Sequence, residues 1–173
     1  MLRRFLLLGL LFATVPAFAG TASAQKRVVL PDTVVPSHYA LTVTPDAAAK
    51  RFTGAVTISL SVKKPTQDVV LNAADLSFQD VRLSGQKDAP KVSFDDKTET
   101  ATLHFSKPLK VGGYTLSIRY TGKINDSPNG LFALDYAAAG KTERALFTQF
   151  ENSDARRFLP CWDELTGAIK SYV

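Results

Sequence analysis

The chain has one cysteine and two histidines in 173 residues, and each scarcity removes a class of function. With Cys161 alone, no intramolecular disulfide can form. A zinc box needs two or three His, Cys or carboxylate ligands at short spacing; His38 and His104 stand far apart with no helix to pair them. Nor is there a Gly-x-Ser-x-Gly elbow, a phosphate-cradling glycine loop or a calcium-loop pattern. Charge of one sign is also scarce: the formal +5 includes Arg3 and Arg4 at the extreme N-terminus. The pairs Lys26-Arg27, Lys50-Arg51, Lys63-Lys64 and Arg156-Arg157 are scattered, with no aromatic residues interleaved as a stacking platform. That pattern argues against nucleic acid as a partner.

No acidic residue precedes Asp32. Arg3 and Arg4 lead into an apolar run from Phe5 to Val15, followed by the small-residue triplets Ala17-Phe18-Ala19 and Ala22-Ser23-Ala24. Basic start, apolar stretch and small residues in that order make an export signal. The second triplet lies nearer the strand-like sequence, so cleavage is expected between Ala24 and Gln25. A membrane span needs roughly 20 apolar residues, whereas this run is shorter and is stopped by Pro16. The expectation is a signal peptide over 1–24 and one soluble, exported domain over 25–173, periplasmic or secreted and not membrane-spanning. Arg3-Arg4 with Phe5-Leu6 is faintly similar to a twin-arginine signal, but the strongly apolar stretch behind it favours the general secretory route.

From Tyr39 onward, apolar and polar residues alternate with a period of two, which places successive side chains on opposite faces of a strand. Tyr39, Leu41, Val43, then Val56, Ile58, Leu60, Val62, and later Tyr114, Leu116, Ile118, Tyr120 are the clearest runs. Shorter candidates are Val69 to Leu71, Val81 to Leu83, Val92 to Phe94, Leu103 to Phe105, Leu131 to Leu134 and Leu146 to Phe150. Turn-forming groups separate them: Thr44-Pro45-Asp46, Lys63-Lys64-Pro65, Ser84-Gly85, Asp95-Asp96, Gly112-Gly113 and Asn125 to Gly130. Ala47-Ala48-Ala49 and Ala137-Ala138-Ala139 have helical propensity but sit beside turns. The spacing predicts an all-β fold, an antiparallel sandwich or saddle-shaped pair of sheets with about nine or ten strands.

His38 and His104 each oppose an apolar strand face and read as outward-pointing polar positions. Asp95-Asp96 and Asp163-Glu164 could be acid/base pairs, but neighbours in sequence point apart, so they read as solvated turns. Cys161, with no histidine nearby to activate it, reads as a buried structural thiol, a reactive or intermolecularly paired cysteine being the alternative.

The most informative stretch is Leu146 to Glu164. Thr-Gln-Phe-Glu at 148–151, Asp-Ala-Arg-Arg at 154–157 and Pro-Cys-Trp-Asp-Glu at 160–164 resemble the segment that closes the N-terminal domain of the aminopeptidase N family of zinc metallopeptidases. Leu30-Pro31, Val35 to Tyr39 and Phe52-Thr53-Gly54 are similar to that domain's first two strands. The resemblance implies a saddle-shaped β domain bordering the active site of a much longer enzyme that cleaves N-terminal residues from peptides. Zinc would belong to that longer enzyme. The family's Gly-x-Met-Glu-Asn loop, His-Glu-x-x-His helix and later Glu ligand do not occur before Val173, so no catalytic or metal residue is assigned here. Residues 165–173 also depart from the family pattern.

Glu151 occupies the position at which the family's carboxylate meets a peptide's protonated α-amine, where a charge-assisted hydrogen bond is worth more than any neutral contact. If the strand continues, Phe147, Gln149 and Glu151 share one face, so the Gln149 carbonyl could meet the same amine while Phe150 anchors the core face. Both polar residues could equally be ordinary solvent-facing positions. Asp154, Arg156 and Arg157 read as structural ion pairs, and Pro160-Cys161-Trp162 as a buried corner. Three functions compete: an aminopeptidase substrate-edge domain present as a fragment, its catalytic domain supplied by a longer chain; a free-standing secreted binding module without activity; and an exported enzyme of another kind, which the lack of any catalytic constellation disfavours.

Overall fold

The computed structural model describes residues 29–163; the expected signal peptide, the cleavage site and residues 164–173, Glu164 included, lie outside the described residues. Nine strands follow in order: β1 (Val34–Asp46), β2 (Arg51–Val62), β3 (Thr66–Asn72), β4 (Leu76–Leu83), β5 (Lys91–Asp95), β6 (Thr100–Leu109), β7 (Gly112–Lys123), β8 (Gly130–Ala138) and β9 (Lys141–Gln149). A 3₁₀ turn, Asp154–Arg157, comes after them. The described chain is all-β and antiparallel, and each segment expected as a strand lies within one of these, except that Leu146 to Phe150 overruns β9 by one residue. The strands form a four-stranded sheet ordered β1-β2-β7-β4, a three-stranded sheet β3-β6-β5 and a two-stranded hairpin β8-β9. That hairpin is an addition to the expected pair of sheets.

Alternation decides which face is buried. In β2, Phe52, Val56, Ile58, Leu60 and Val62 are buried while Arg51, Thr53, Ala55 and Thr57 are exposed. Across the ladder, Ile58 opposes Leu116 and Val56 opposes Ile118, so both strands present one apolar surface. Val69 and Leu71 of β3 and Ala101, Leu103 and Phe105 of β6 join the same core cluster. Each buried aliphatic side chain contributes about 1.5–3 kcal/mol relative to leaving it in water.

Gly54 opposes Tyr120, whose ring lies over it: a Cβ on Gly54 would stand 2.2 Å from Tyr120 Cζ. The hollow left by the missing side chain holds the phenol ring. Its hydroxyl then donates to the Phe158 carbonyl at 3.0 Å, which ties β7 to the segment after the last strand. Burial, with the neighbouring Cys161 adding to it, pushes the Tyr120 phenol well above its ordinary pKa, so it remains a hydrogen-bond donor.

Two local expectations are corrected. Thr44-Pro45-Asp46 is the end of β1 rather than a turn; β1 is a sheet edge, where the missing proline N–H costs no ladder bond. Gly112-Gly113 opens β7 instead of preceding it. Ala137 and Ala138 belong to β8, and Ala139 (φ 49°) with Gly140 (φ 74°) forms the two-residue hairpin turn, both in the left-handed region such turns require.

Candidate functional site

The β8-β9 hairpin leads directly into the segment singled out in the sequence. Leu131 and Ala133 on one face are buried and Leu146 packs against the core. The opposite face carries Phe132, Leu134, Tyr136 and Phe147; the Phe132 and Phe147 rings lie 5.8 Å apart, and Leu134 and Phe147 keep 49% and 46% of their surface exposed. Gln149 closes β9 opposite Gly130. Gly130 has φ +62°, and a Cβ there would stand 2.9 Å from Arg157 Cβ, so backbone and arginine meet closely at this end of the hairpin.

Glu151 is exposed, and no cation pairs with its carboxylate among the described residues. It does not continue the strand face as expected. β9 ends at Gln149 and Glu151 sits in the following turn. Gln149 explains the break: its Oε1 accepts from the backbone N–H of Phe150 at 3.0 Å and of Glu151 at 3.5 Å, turning the chain back on itself. Both lone pairs of the Gln149 side-chain carbonyl are thereby engaged, the longer contact being the one to Glu151 N–H. Phe150 is half-buried, its ring 5.3 Å from Phe158; it covers the core's edge instead of anchoring a strand within it.

The chain then enters the 3₁₀ turn, with Asp154 N–H donating to the Phe150 carbonyl at 3.0 Å. Arg156 and Arg157 pair as anticipated, but with partners distant in sequence. Arg156, its side chain 8% exposed, donates to Asp163 through Nε (3.0 Å) and Nη2 (2.8 Å) and to Glu99 through Nη1 (3.1 Å). Arg157 donates to Asp154 at 2.9 Å and also to Glu99 and Asp75. Desolvation opposes the charge on both guanidiniums. Asp163 and Glu99 around Arg156, and Asp154, Glu99 and Asp75 around Arg157, outweigh it and hold both above the ordinary arginine value.

Asp163 is therefore no solvated turn residue. Its side chain is 6% exposed, paired with Arg156, and accepts from Asn72 Nδ2 at 2.8 Å. A fork-shaped guanidinium seven residues upstream captures its carboxylate. Pro160, Cys161 and Trp162 are buried, and Cys161 forms an antiparallel bridge with Asn72, its N–H donating to the Asn72 carbonyl at 3.0 Å. Burial first, with the nearby Asp163 carboxylate, pushes the Cys161 thiol up, which suits the structural reading. His38 and His104 are exposed on β1 and β6, His104 Nδ1 lying 2.6 Å from Asp68 Oδ1. Among the described residues no three His, Cys, Asp or Glu side chains gather to hold a metal ion. These residues do not fit a zinc site, and no chemical step is assigned to one here.

Glu99 and Asp75 were invisible in the sequence reading. They lie 58 and 82 residues from Arg157, and only the pairing of sheets brings them together. Among the described residues no helix is long and apolar enough to cross a membrane.

The described residues thus form an all-β domain whose closing segment is held by the ion pairs of Arg156 and Arg157. Residues 35–165 match the Peptidase M1 N-terminal domain, and the chain belongs to that family. It is 42% identical over 170 residues to an aminopeptidase N of Acetobacter pasteurianus, an alignment covering 94% of this chain and 48% of that protein. Identity to aminopeptidase M1-D of Oryza sativa subsp. japonica is 37% over 147 residues, 84% of this chain and 17% of the relative. For aminopeptidase M1 of Arabidopsis thaliana it is 39% over 142 residues, 78% and 16%. The chain thus spans under half the length of the first relative and 16–17% of the other two.

Breaking a buried ion pair from one side leaves an uncompensated charge and costs about 3–5 kcal/mol, whereas an exposed pair is worth about 0–1 kcal/mol. Asp163→Ala should lower unfolding stability by the larger amount and Asp68→Ala, which removes the exposed partner of His104, by the smaller. Urea denaturation of both variants measures the contrast, and equal small losses would mean that Arg156 is not held by Asp163.

Proposed function

We propose that this chain is the substrate-edge domain of an exported zinc aminopeptidase, with Glu151 receiving the protonated α-amine of a peptide and Gln149 beside it. The observation carrying this reading is the Glu151 carboxylate itself: exposed, without a cation among the described residues, and set on a turn bonded at both ends. A carboxylate so held gives a charge-assisted hydrogen bond to an ammonium group without first having to be ordered. Gln149 has two parts in this scheme, shaping the turn through its backbone contacts and turning its carbonyl to the same amine in exchange for the longer of them, the 3.5 Å contact to Glu151 N–H. The zinc and the groups that cleave the peptide bond come from a catalytic domain in a longer chain. The relatives that this chain only partly spans, all named aminopeptidases, support that view. So does the exposed apolar face of Leu134, Tyr136 and Phe147, which another domain would cover.

Fused to a family catalytic domain, the wild-type chain should support cleavage of an amino-acid anilide. Glu151→Gln should lower kcat/KM about ten- to 150-fold, the equivalent of losing a charged hydrogen bond of about 1.5–3 kcal/mol, with an unchanged melting temperature. An unchanged kcat/KM, or a loss that merely follows the melting temperature, would remove Glu151 from the site.

Export is part of the same proposal and rests on the basic start, the apolar run and Ala22-Ser23-Ala24. N-terminal sequencing of protein recovered outside the cytoplasm should begin at Gln25. Accumulation of the intact Met1 chain in the cytoplasm would contradict it.

A further inference from the structure

Glu99 lies in the turn between β5 and β6, with its backbone at φ +53°. Left-handed conformations are unfavourable for a non-glycine residue and persist where their surroundings over-determine them. The surroundings here are specific. The Glu99 carbonyl accepts from Ala73 N–H at 2.9 Å, and its two carboxylate oxygens divide between the two arginines, Oε2 to Arg156 and Oε1 to Arg157. Asp75, also left-handed at φ +56°, takes a further Arg157 nitrogen, and Ala74 N–H donates to the Arg156 carbonyl at 3.0 Å. Two turns of the core sheets thereby grip the 3₁₀ turn from outside.

That grip reaches Glu151 by a short path. Arg157 holds Asp154, Asp154 N–H holds the Phe150 carbonyl, and Phe150 and Glu151 are bound to Gln149 Oε1. At its other end the turn leaves β9 opposite Gly130, which itself abuts Arg157. We propose that Glu99 is a positioning residue: it fixes the Glu151 carboxylate through the two arginines and thereby sets how tightly the domain holds a peptide amine. The inference rests on the reading of Glu151 as the amine site. The Glu99 carboxylate is taken up by the arginines, so Glu99 acts through Glu151 and not on the substrate.

The test has two arms. In the 173-residue chain, Glu99→Gln keeps the shape but removes the charge; amide exchange at Glu151 to Asp154 should accelerate about tenfold or more, while the β2 and β7 amides stay within about twofold. Should Glu99→Gln fail to fold, Asp75→Asn, which removes the charge of a more exposed partner, takes its place. In the chain fused to a family catalytic domain, the same variant should raise KM roughly three- to thirtyfold with kcat within about twofold, and Glu99→Asp should restore part of the loss. In a Glu151→Gln background, removing the Glu99 charge should have no further effect on KM. Unchanged exchange at 151–154, or the same KM increase with and without the Glu151 carboxylate, would overturn the positioning role. A Glu151→Gln fusion with wild-type KM and kcat would instead overturn the amine site itself, and exchange in the first arm would still decide whether Glu99 clamps the turn.

Discussion

A guanidinium can stay out of water only if carboxylates replace the solvent it gives up, and Arg156 is the place where this chain meets that demand. Asp163 takes two of its nitrogens and Glu99 a third. Such an arrangement adds little net stability compared with an apolar replacement of the same shape, yet losing any one partner is expensive. Its value is in specification. The segment after β9 has one way to bury Arg156, and that placement brings Cys161 against Asn72, Phe158 under the Tyr120 hydroxyl and Arg157 against Gly130.

The sheets supply rigidity and the arginines direct it. Alternation in β2 and β7 builds the apolar floor, and the hollow at Gly54 lets the Tyr120 ring lie flat enough for its hydroxyl to reach past the sheet. The hairpin arrives from the other side and ends at Gln149 because that side chain captures the next two amides. Glu151 is left on a short turn between two fixed points, its carboxylate free of cations among the described residues. A charge presented this way is suited to a ligand that brings its own positive charge.

The strands could be read from the sequence because a period of two is a local property: Val56, Ile58, Leu60 and Val62 announce their face without reference to any partner. The family could be read too, because the block from Thr148 to Glu164 keeps its order of residue types. The environments of single side chains could not. Asp163 looked like a solvated residue beside Glu164, and its burial depends on Arg156, itself held by Glu99 from the β5-β6 turn. Glu151 was placed on a strand face because alternation cannot register a side chain such as Gln149 bending back to its own backbone. Pro45 and Gly112-Gly113 misled for a related reason, since both are turn formers that a sheet edge or a strand's first residues tolerate.

If buried charge pairing makes the closing segment part of the core, its backbone must open only when the whole domain opens. Native-state hydrogen exchange at the Cys161 and Asn72 amides, which bond to each other's carbonyls at 3.0 and 2.8 Å, reads this directly. The account predicts protection at those two amides equal to that of Ile58 and Ile118 in the central strands. Exchange many-fold faster, at the rate of a loop, would contradict it.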